Sequence, residues 1–238
     1  MRIMTYNIAH GEDQNRPGQN CIDLLQIARI IRDVNPVFCT LNEVRNEGSH
    51  PDYTDQVGTL CRYLGWNGFF AQATLLDGGN PYGNAIVSSV PILETEVIPI
   101  PDPPLRKYDG YYETRCVLRA VLDLGRPFTV FASHFGLNPD EAENAVDTVV
   151  KAVSKCGTPF CFQGDLNLKP EDPLMRPLFE IMTDTAVAAD GPVLTFASDN
   201  PYEKIDYIFV SRDLRAERFR VPVVIASDHS PCYAEIRF

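Results

Sequence analysis

Pro159-Phe-Cys-Phe-Gln-Gly-Asp-Leu-Asn167 is an apolar run that breaks into polar groups at Asp165 and Asn167. Its aromatic residues, bounded by a proline and a glycine, predict a buried strand. A carboxylate where a strand stops is commonly a turn former, so Asp165 alone says little. The same pattern recurs along the whole chain, and the recurrence is informative. Asn7 closes Arg2-Ile-Met-Thr-Tyr-Asn7, Glu43 closes Val37-Phe-Cys-Thr-Leu-Asn-Glu43, and His134 closes Phe128-Thr-Val-Phe-Ala-Ser-His134. Asp206 opens Asp206-Tyr-Ile-Phe-Val210, and Asp228-His229 precedes the last apolar run. Strand ends from one sheet layer converge in space, so these groups can share one mouth. Burying so many carboxylates is costly unless they are paired or bind a metal.

Working outward, apolar or alternating runs at 2–8, 37–41, 68–74, 84–90, 92–100, 115–124, 128–133, 159–164, 205–210 and 231–238 predict about ten strands. Helical spacing of apolar residues appears at 22–34, stopped by Pro36, and at 53–64. A third helix is expected at 139–154, with Asn138 as N-cap, Asp140 and Glu141 in the first turn and Lys151 near the end, as the helix dipole favours. Several strands are consecutive, so the alternation of a purely parallel βαβ fold is missing. A strand-rich α/β (α+β) fold with two packed sheets is expected. No repeat, low-complexity tract or Ser/Gly linker divides the sequence, and residues 1–238 are read as one domain. The stretches 9–21 and 101–113 are long enough to be functional loops.

The 238 residues carry 21 Lys+Arg against 32 Asp+Glu, a formal net charge of −11, and 45% are hydrophobic. That composition supports a sizeable core and excludes disorder. No apolar run reaches the length of a membrane-spanning helix, and no export signal is visible. The seven cysteines are an odd number without a Cys-x-x-Cys pair, which points to a reducing, cytoplasmic setting. The acidic balance argues against a protein that coats nucleic acid or anionic lipid. Arg212, Arg215, Arg218 and Arg220 form the one dense basic stretch and are read as the solvated face of a strand.

Taken together, Thr-Tyr-Asn-Ile at 5–8, Leu-Asn-Glu-Val at 41–44, Ser-His-Phe at 133–135, Gly-Asp-Leu-Asn at 164–167, Ile-Asp-Tyr-Ile-Phe at 205–209 and Ser-Asp-His-Ser-Pro at 227–231 form an ordered set. This set resembles the endonuclease/exonuclease/phosphatase superfamily of metal-dependent phosphoesterases. The resemblance implies a four-layer sandwich, two packed mixed β-sheets flanked by helices. Three departures are visible. Asn42 stands where the family usually has Gln, and Val87-Ser-Ser-Val-Pro91 lacks an arginine that many relatives carry. Ser133-His134 places the chain nearer the deoxyribonuclease-I, sphingomyelinase and phosphatase branches than the exonuclease III branch. Glu113-Thr114-Arg115 is similar to a segment of small bacterial members.

The resemblance also implies roles. Glu43, with Asn7 and Asp228 near it, would hold a metal, and oxygen ligands suit one Mg²⁺ or Mn²⁺ ion. Asp165 would orient and deprotonate the attacking water, with Asn167 donating to the phosphate or the water. His229 would contact a phosphoryl oxygen, held by Asp206, and either Asp165 or His229 is the base. His134 would be a second donor to the phosphate, and Arg115 is a further candidate for a phosphate contact, although an arginine flanking an apolar strand reads as easily as a surface residue. The implied reaction is hydrolysis of a phosphodiester or phosphomonoester by an activated water. A DNA or RNA nuclease of the same superfamily is the alternative, and a non-catalytic binding module on this fold a remoter one. Long duplex DNA is not favoured as substrate at this charge, and no obligate protein partner is evident.

Overall fold

In the computed structural model, residues 1–16, 18–19 and 21–238 are described; Pro17 and Asn20, within the expected 9–21 loop, lie outside the described residues. Helix α1 (Leu24–Val34) forms because Leu24, Ile27, Ala28, Ile31 and Val34 recur at helical spacing, and all five are buried. Asp23 starts it by accepting from the Gln26 amide at 2.9 Å. Asn35, in the left-handed conformation at φ 53°, stops it. Helix α2 (Gln56–Leu64) begins later than the apolar spacing suggested, because Asp55 accepts the Gly58 amide at 2.7 Å and caps there. Tyr53 stays in the preceding loop, with its hydroxyl on Asp77. Helix α3 (Pro139–Ser154) runs as expected, with a capping box between Asn138 and Glu141. Helix α4 (Arg176–Ile181) is short.

Two six-stranded sheets are built from the described residues. The first runs in space as β11 (Arg215–Arg220), β12 (Cys232–Arg237), β1 (Arg2–Asn7), β2 (Phe38–Arg45), β4 (Asn80–Ser88) and β3 (Asn67–Leu76). The second runs as β5 (Ile92–Pro99), β6 (Cys116–Asp123), β7 (Pro127–Ser133), β8 (Phe160–Asp165), β10 (Asp206–Val210) and β9 (Thr183–Asp184). Each sheet holds one parallel pair, β1–β2 in the first and β7–β8 in the second, and the other pairings are antiparallel. Parallel neighbours end on the same side. Asn7 and Glu43 therefore emerge together from one sheet, and His134 and Asp165 from the other.

Alternation sets the layers. Ile3 faces the core between the sheets with Phe38, Leu118, Phe128 and Ile208, whereas Met4 and Tyr6 face α1 and α2. On the far side Phe131, Phe162 and Tyr207 pack under α3 and α4. The result is a four-layer α/β sandwich. Burying each large side chain in these three clusters contributes roughly 1.5–3 kcal/mol relative to leaving it exposed. Strands β9 and β11 were not among the ten apolar runs, although a strand carrying the basic face was expected where β11 lies. β9 has only two residues, and of β11 only Phe219 is buried. The arginines at 215, 218 and 220 are exposed on β11, as the sequence implied, and Arg212 just before it is exposed too.

Candidate active site

Strand β2 does not stop at its apolar residues. Its pairing with β4 slips between Leu41 and Val44, and Glu43 sits within that bulge at φ 58°, in the left-handed region that few glutamates adopt. The bulge brings Glu43 Oε1 to Asn7 Nδ2 at 3.0 Å. The same Nδ2 donates to Asp165 Oδ2 at 3.0 Å, so one amide joins carboxylates from the two sheets. The Ala9 backbone amide donates to Asn7 Oδ1 at 3.1 Å, and the Ser227 hydroxyl donates to the Asn7 carbonyl at 2.8 Å. Asn7 is thus held in one orientation.

Asp165 is reached because β8 passes very close to β7. A Cβ on Gly164 would lie 1.9 Å from the Ser133 carbonyl oxygen, and its φ of +138° is also one that glycine favours. The Asn167 backbone amide donates to Asp165 Oδ1 at 3.0 Å, an Asx turn that leaves Oδ2 facing the site. Burial is the main cause that raises Asp165 above the ordinary carboxylate range; the His229 charge opposes the rise and the Asp206 charge adds to it.

Asp206 lies opposite Asp165 in the β8–β10 register. Its Oδ2 is 2.8 Å from His229 Nδ1, while His229 Nε2 is 3.4 Å from Asp165 Oδ2. The Phe196 ring packs on His229 with centroids 4.8 Å apart. Burial disfavours charge on His229, but the Asp206 and Asp165 carboxylates outweigh it and lift the imidazolium to about 10. His134 behaves in the opposite way: burial first, then the charges of Arg115 and His229, hold it well below the usual histidine range. His134 Nε2 lies 3.4 Å from Asp165 Oδ2 and 3.1 Å from Asn167 Nδ2. Its Nδ1 lies 2.9 Å from Arg115 Nη1, and that same nitrogen is 2.8 Å from Glu113 Oε1.

Every group singled out in the sequence except Asp228 therefore joins one contact chain: Arg115–His134–Asp165 with Asn167, Asp165–His229–Asp206, and Asp165–Asn7–Glu43. Asp228 stands at its edge, where its carboxylate takes the Ser227 hydroxyl at 3.1 Å and its charge contributes to raising His229. Behind the chain, Asn42 Oδ1 accepts the Asp165 amide at 2.9 Å, and its Nδ2 donates to Asn84 Oδ1 at 2.7 Å and the Ser133 carbonyl at 3.1 Å. Asn84 was not anticipated as part of the site. Its signal was a lone amide inside the buried strand Tyr-Gly-Asn-Ala-Ile at 82–86. The 101–113 loop divides its tyrosines: Tyr108 and Tyr111 are exposed, whereas Tyr112 packs the loop, accepting from the Lys107 and Tyr108 amides and donating to Asp140.

Two groupings offer themselves for a metal. Asp165, Asp206 and His229 present ligand atoms within 4.8 Å of one another, whereas the sequence pointed to Glu43 with Asn7 and Asp228. Asp206 engages Nδ1 and leaves Nε2 of His229 facing the site, while the Asp206 and Asp165 charges favour the protonated ring, which has no free lone pair. The oxygens do fit a hard divalent cation: Glu43 and Asp165 converge on one amide, and Asp206 Oδ1 is buried without a partner.

The family model described as "Endonuclease/Exonuclease/phosphatase family" matches residues 4–229, a span that holds every group of the contact chain. No curated protein matches the sequence. Solved structures do match the fold. An endonuclease/exonuclease/phosphatase from Beutenbergia cavernae DSM 12333 is 22% identical, covers 100% of this chain and 71% of that one, and superposes with a TM-score of 0.82. A mannosyl-6-phosphatase from Bacteroides thetaiotaomicron VPI-5482 is 16% identical over 100% of both chains, with a TM-score of 0.81. The human Nocturnin catalytic domain with bound sulfate is 15% identical, covers 100% of this chain and 94% of that one, with a TM-score of 0.71. With the match spanning nearly the whole sequence and the two-sheet sandwich agreeing, the chain belongs to the endonuclease/exonuclease/phosphatase family.

Proposed function

We infer that the protein is a divalent-metal-dependent hydrolase of phosphate esters, with a small phosphomonoester or phosphodiester as its substrate. The observation that carries this reading is the convergence on Asp165 Oδ2 of nitrogens from Asn7, His134 and His229, at 3.0, 3.4 and 3.4 Å. A carboxylate so surrounded is aimed by donors suited to an anionic oxygen, which is what a phosphoryl group presents. Asp165 would align the attacking water and take its proton; its raised basicity brings it nearer the working range of a general base. His229, kept cationic by Asp206, would neutralise charge on a phosphoryl oxygen, while Asn167 and His134 would add neutral donors. Glu43 would hold one Mg²⁺ or Mn²⁺, which would supply Lewis-acid polarisation of a phosphoryl or leaving-group oxygen. Asn7, expected from the sequence as a ligand with it, turns its amide nitrogen rather than its oxygen to Glu43, and Asp228 stands at the edge of the contact chain.

The net charge of −11 weighs against long duplex DNA, and the likeness to a mannosyl-6-phosphatase along the full length of both chains supports a small monoester. Residues 1–238 would act as one domain, since the site draws on strands from both ends of the chain. The seven unpaired cysteines support a reducing, cytoplasmic setting, and no helix among the described residues is long and apolar enough to cross a membrane.

The test is turnover of a panel of phosphomonoesters and phosphodiesters with Mg²⁺ or Mn²⁺, then with EDTA. Activity should vanish in chelator and return with either ion, and Glu43→Ala should raise the metal concentration needed while leaving the far-UV circular dichroism unchanged. Full turnover in chelator would remove the metal from the mechanism. Failure of every ester with either ion would favour a binding module.

A further inference from the structure

Arg115 lies buried immediately before β6, and its Nη1 sits between Glu113 Oε1 at 2.8 Å and His134 Nδ1 at 2.9 Å. A guanidinium has donors only and does not lose its proton in proteins. His134 Nδ1 must therefore be the acceptor, which leaves the ring proton on Nε2. On the other side of the ring, Asn167 Nδ2 donates to the Phe135 carbonyl at 3.0 Å, which orients the amide with its nitrogen toward His134. His134 Nε2 and Asn167 Nδ2 are 3.1 Å apart, a distance at which one would bond the other if either were an acceptor.

Two arrangements of the same heavy atoms are then distinct. With the proton on Nδ1, Nε2 would accept the Asn167 amide proton, and both groups would be spent on each other. With the proton on Nε2, two N–H groups lie side by side with no bond between them, both free for a third, negatively charged atom. Asp165 Oδ2, 3.4 Å from His134 Nε2, marks where such an atom is close.

We propose that Arg115, anchored by Glu113, is a positioning residue that sets the His134 tautomer and thereby keeps His134 and Asn167 from satisfying one another. It acts through His134, in contrast to the direct phosphate contact implied by the family resemblance. The tautomer assignment stands on the hydrogen-bond geometry alone, and only its catalytic consequence rests on the phosphoesterase reading.

The experiment is two-bond ¹H–¹⁵N correlation of the four histidine rings in the uniformly labelled full chain, assigned through His10→Gln, His50→Gln and His134→Gln. In the unsubstituted protein His134 should show a protonated Nε2 and an unprotonated Nδ1. A His134 ring protonated on Nδ1, or on both nitrogens, overturns the proposal. Arg115→Ala should shift His134 toward the Nδ1–H form, and Arg115→Lys, which restores a donor, should return it; an unchanged tautomer in Arg115→Ala overturns the proposal. Kinetically, Arg115→Ala should lower kcat on the order of 10²-fold, the loss typical of an oxyanion donor, with KM nearly unchanged. A raised KM with unchanged kcat would instead make Arg115 a substrate contact. Absence of any turnover in the unsubstituted protein would remove the phosphoesterase reading and leave the tautomer result standing.

Discussion

At the scale of single residues, the Asp206–His229 contact at 2.8 Å predicts that the two act as one unit, because the carboxylate both orients the ring and favours its charge. Asp206→Ala, His229→Ala and the double variant should each lose kcat/KM to a similar extent, on the order of 10²–10⁴-fold. Steady-state kinetics of the three decides this; losses that multiply in the double variant would show that the residues act independently. The same pair sets a pH limb. His229 is lifted to about 10, so it remains a cation through the neutral range, and activity should fall only as pH rises toward that value. On the acid side, Asp165 is raised by burial, so activity should begin to fall at a pH above that of an ordinary carboxylate. Asp206→Asn removes the largest charge that lifts His229, and a kcat/KM–pH profile should show its alkaline limb moved down. An unmoved limb would mean that another group titrates there.

At the scale of elements, the site depends on two local departures from regular strand geometry. The bulge in β2 presents Glu43, and the close approach of β7 and β8 presents Asp165. Gly164→Ala tests the second departure, because the new methyl would meet the Ser133 carbonyl, a backbone atom that cannot swing aside. Overpacking combined with the unfavourable backbone conformation should cost about 3 kcal/mol or more. At this chain length that lowers the thermal midpoint by roughly 6–12 °C. Calorimetry of the variant measures it, and a change below about 2 °C would mean that the strands separate more easily than the packing implies. Asn42 plays the complementary part: its three hydrogen bonds reach β4, β7 and β8 from β2, so the two sheets are registered directly behind Asp165.

At the scale of the whole molecule, the two parallel pairs at the sheet centres bring their carboxyl ends to one rim, where strands from both halves of the chain meet. The surface charge then bears on substrate. Duplex binding draws on lysines and arginines that neutralise several phosphates, and a chain at −11 with five lysines is poorly supplied. Comparing kcat/KM on plasmid DNA with that on small monoesters and diesters, at two salt concentrations, should favour the small esters with little salt dependence. Rapid plasmid nicking that falls steeply with salt, alongside negligible small-ester turnover, would reassign the protein as a nuclease. The sequence by itself determined the class of fold and which polar groups are candidates for the site. Apolar periodicity marks strands and helices, and Asn7, Glu43, His134, Asp165, Asp206 and His229 are conspicuous because polar groups at strand ends interrupt that periodicity. It did not determine which polar atoms are spent on one another. Arg115 reads equally well as a surface residue until the fold buries it against His134, and Asn42 and Asn84 read as ordinary strand amides until two sheets close over them. Those outcomes depend on distances of about 3 Å between residues dozens of positions apart, which strand register and sheet packing decide and local sequence does not encode.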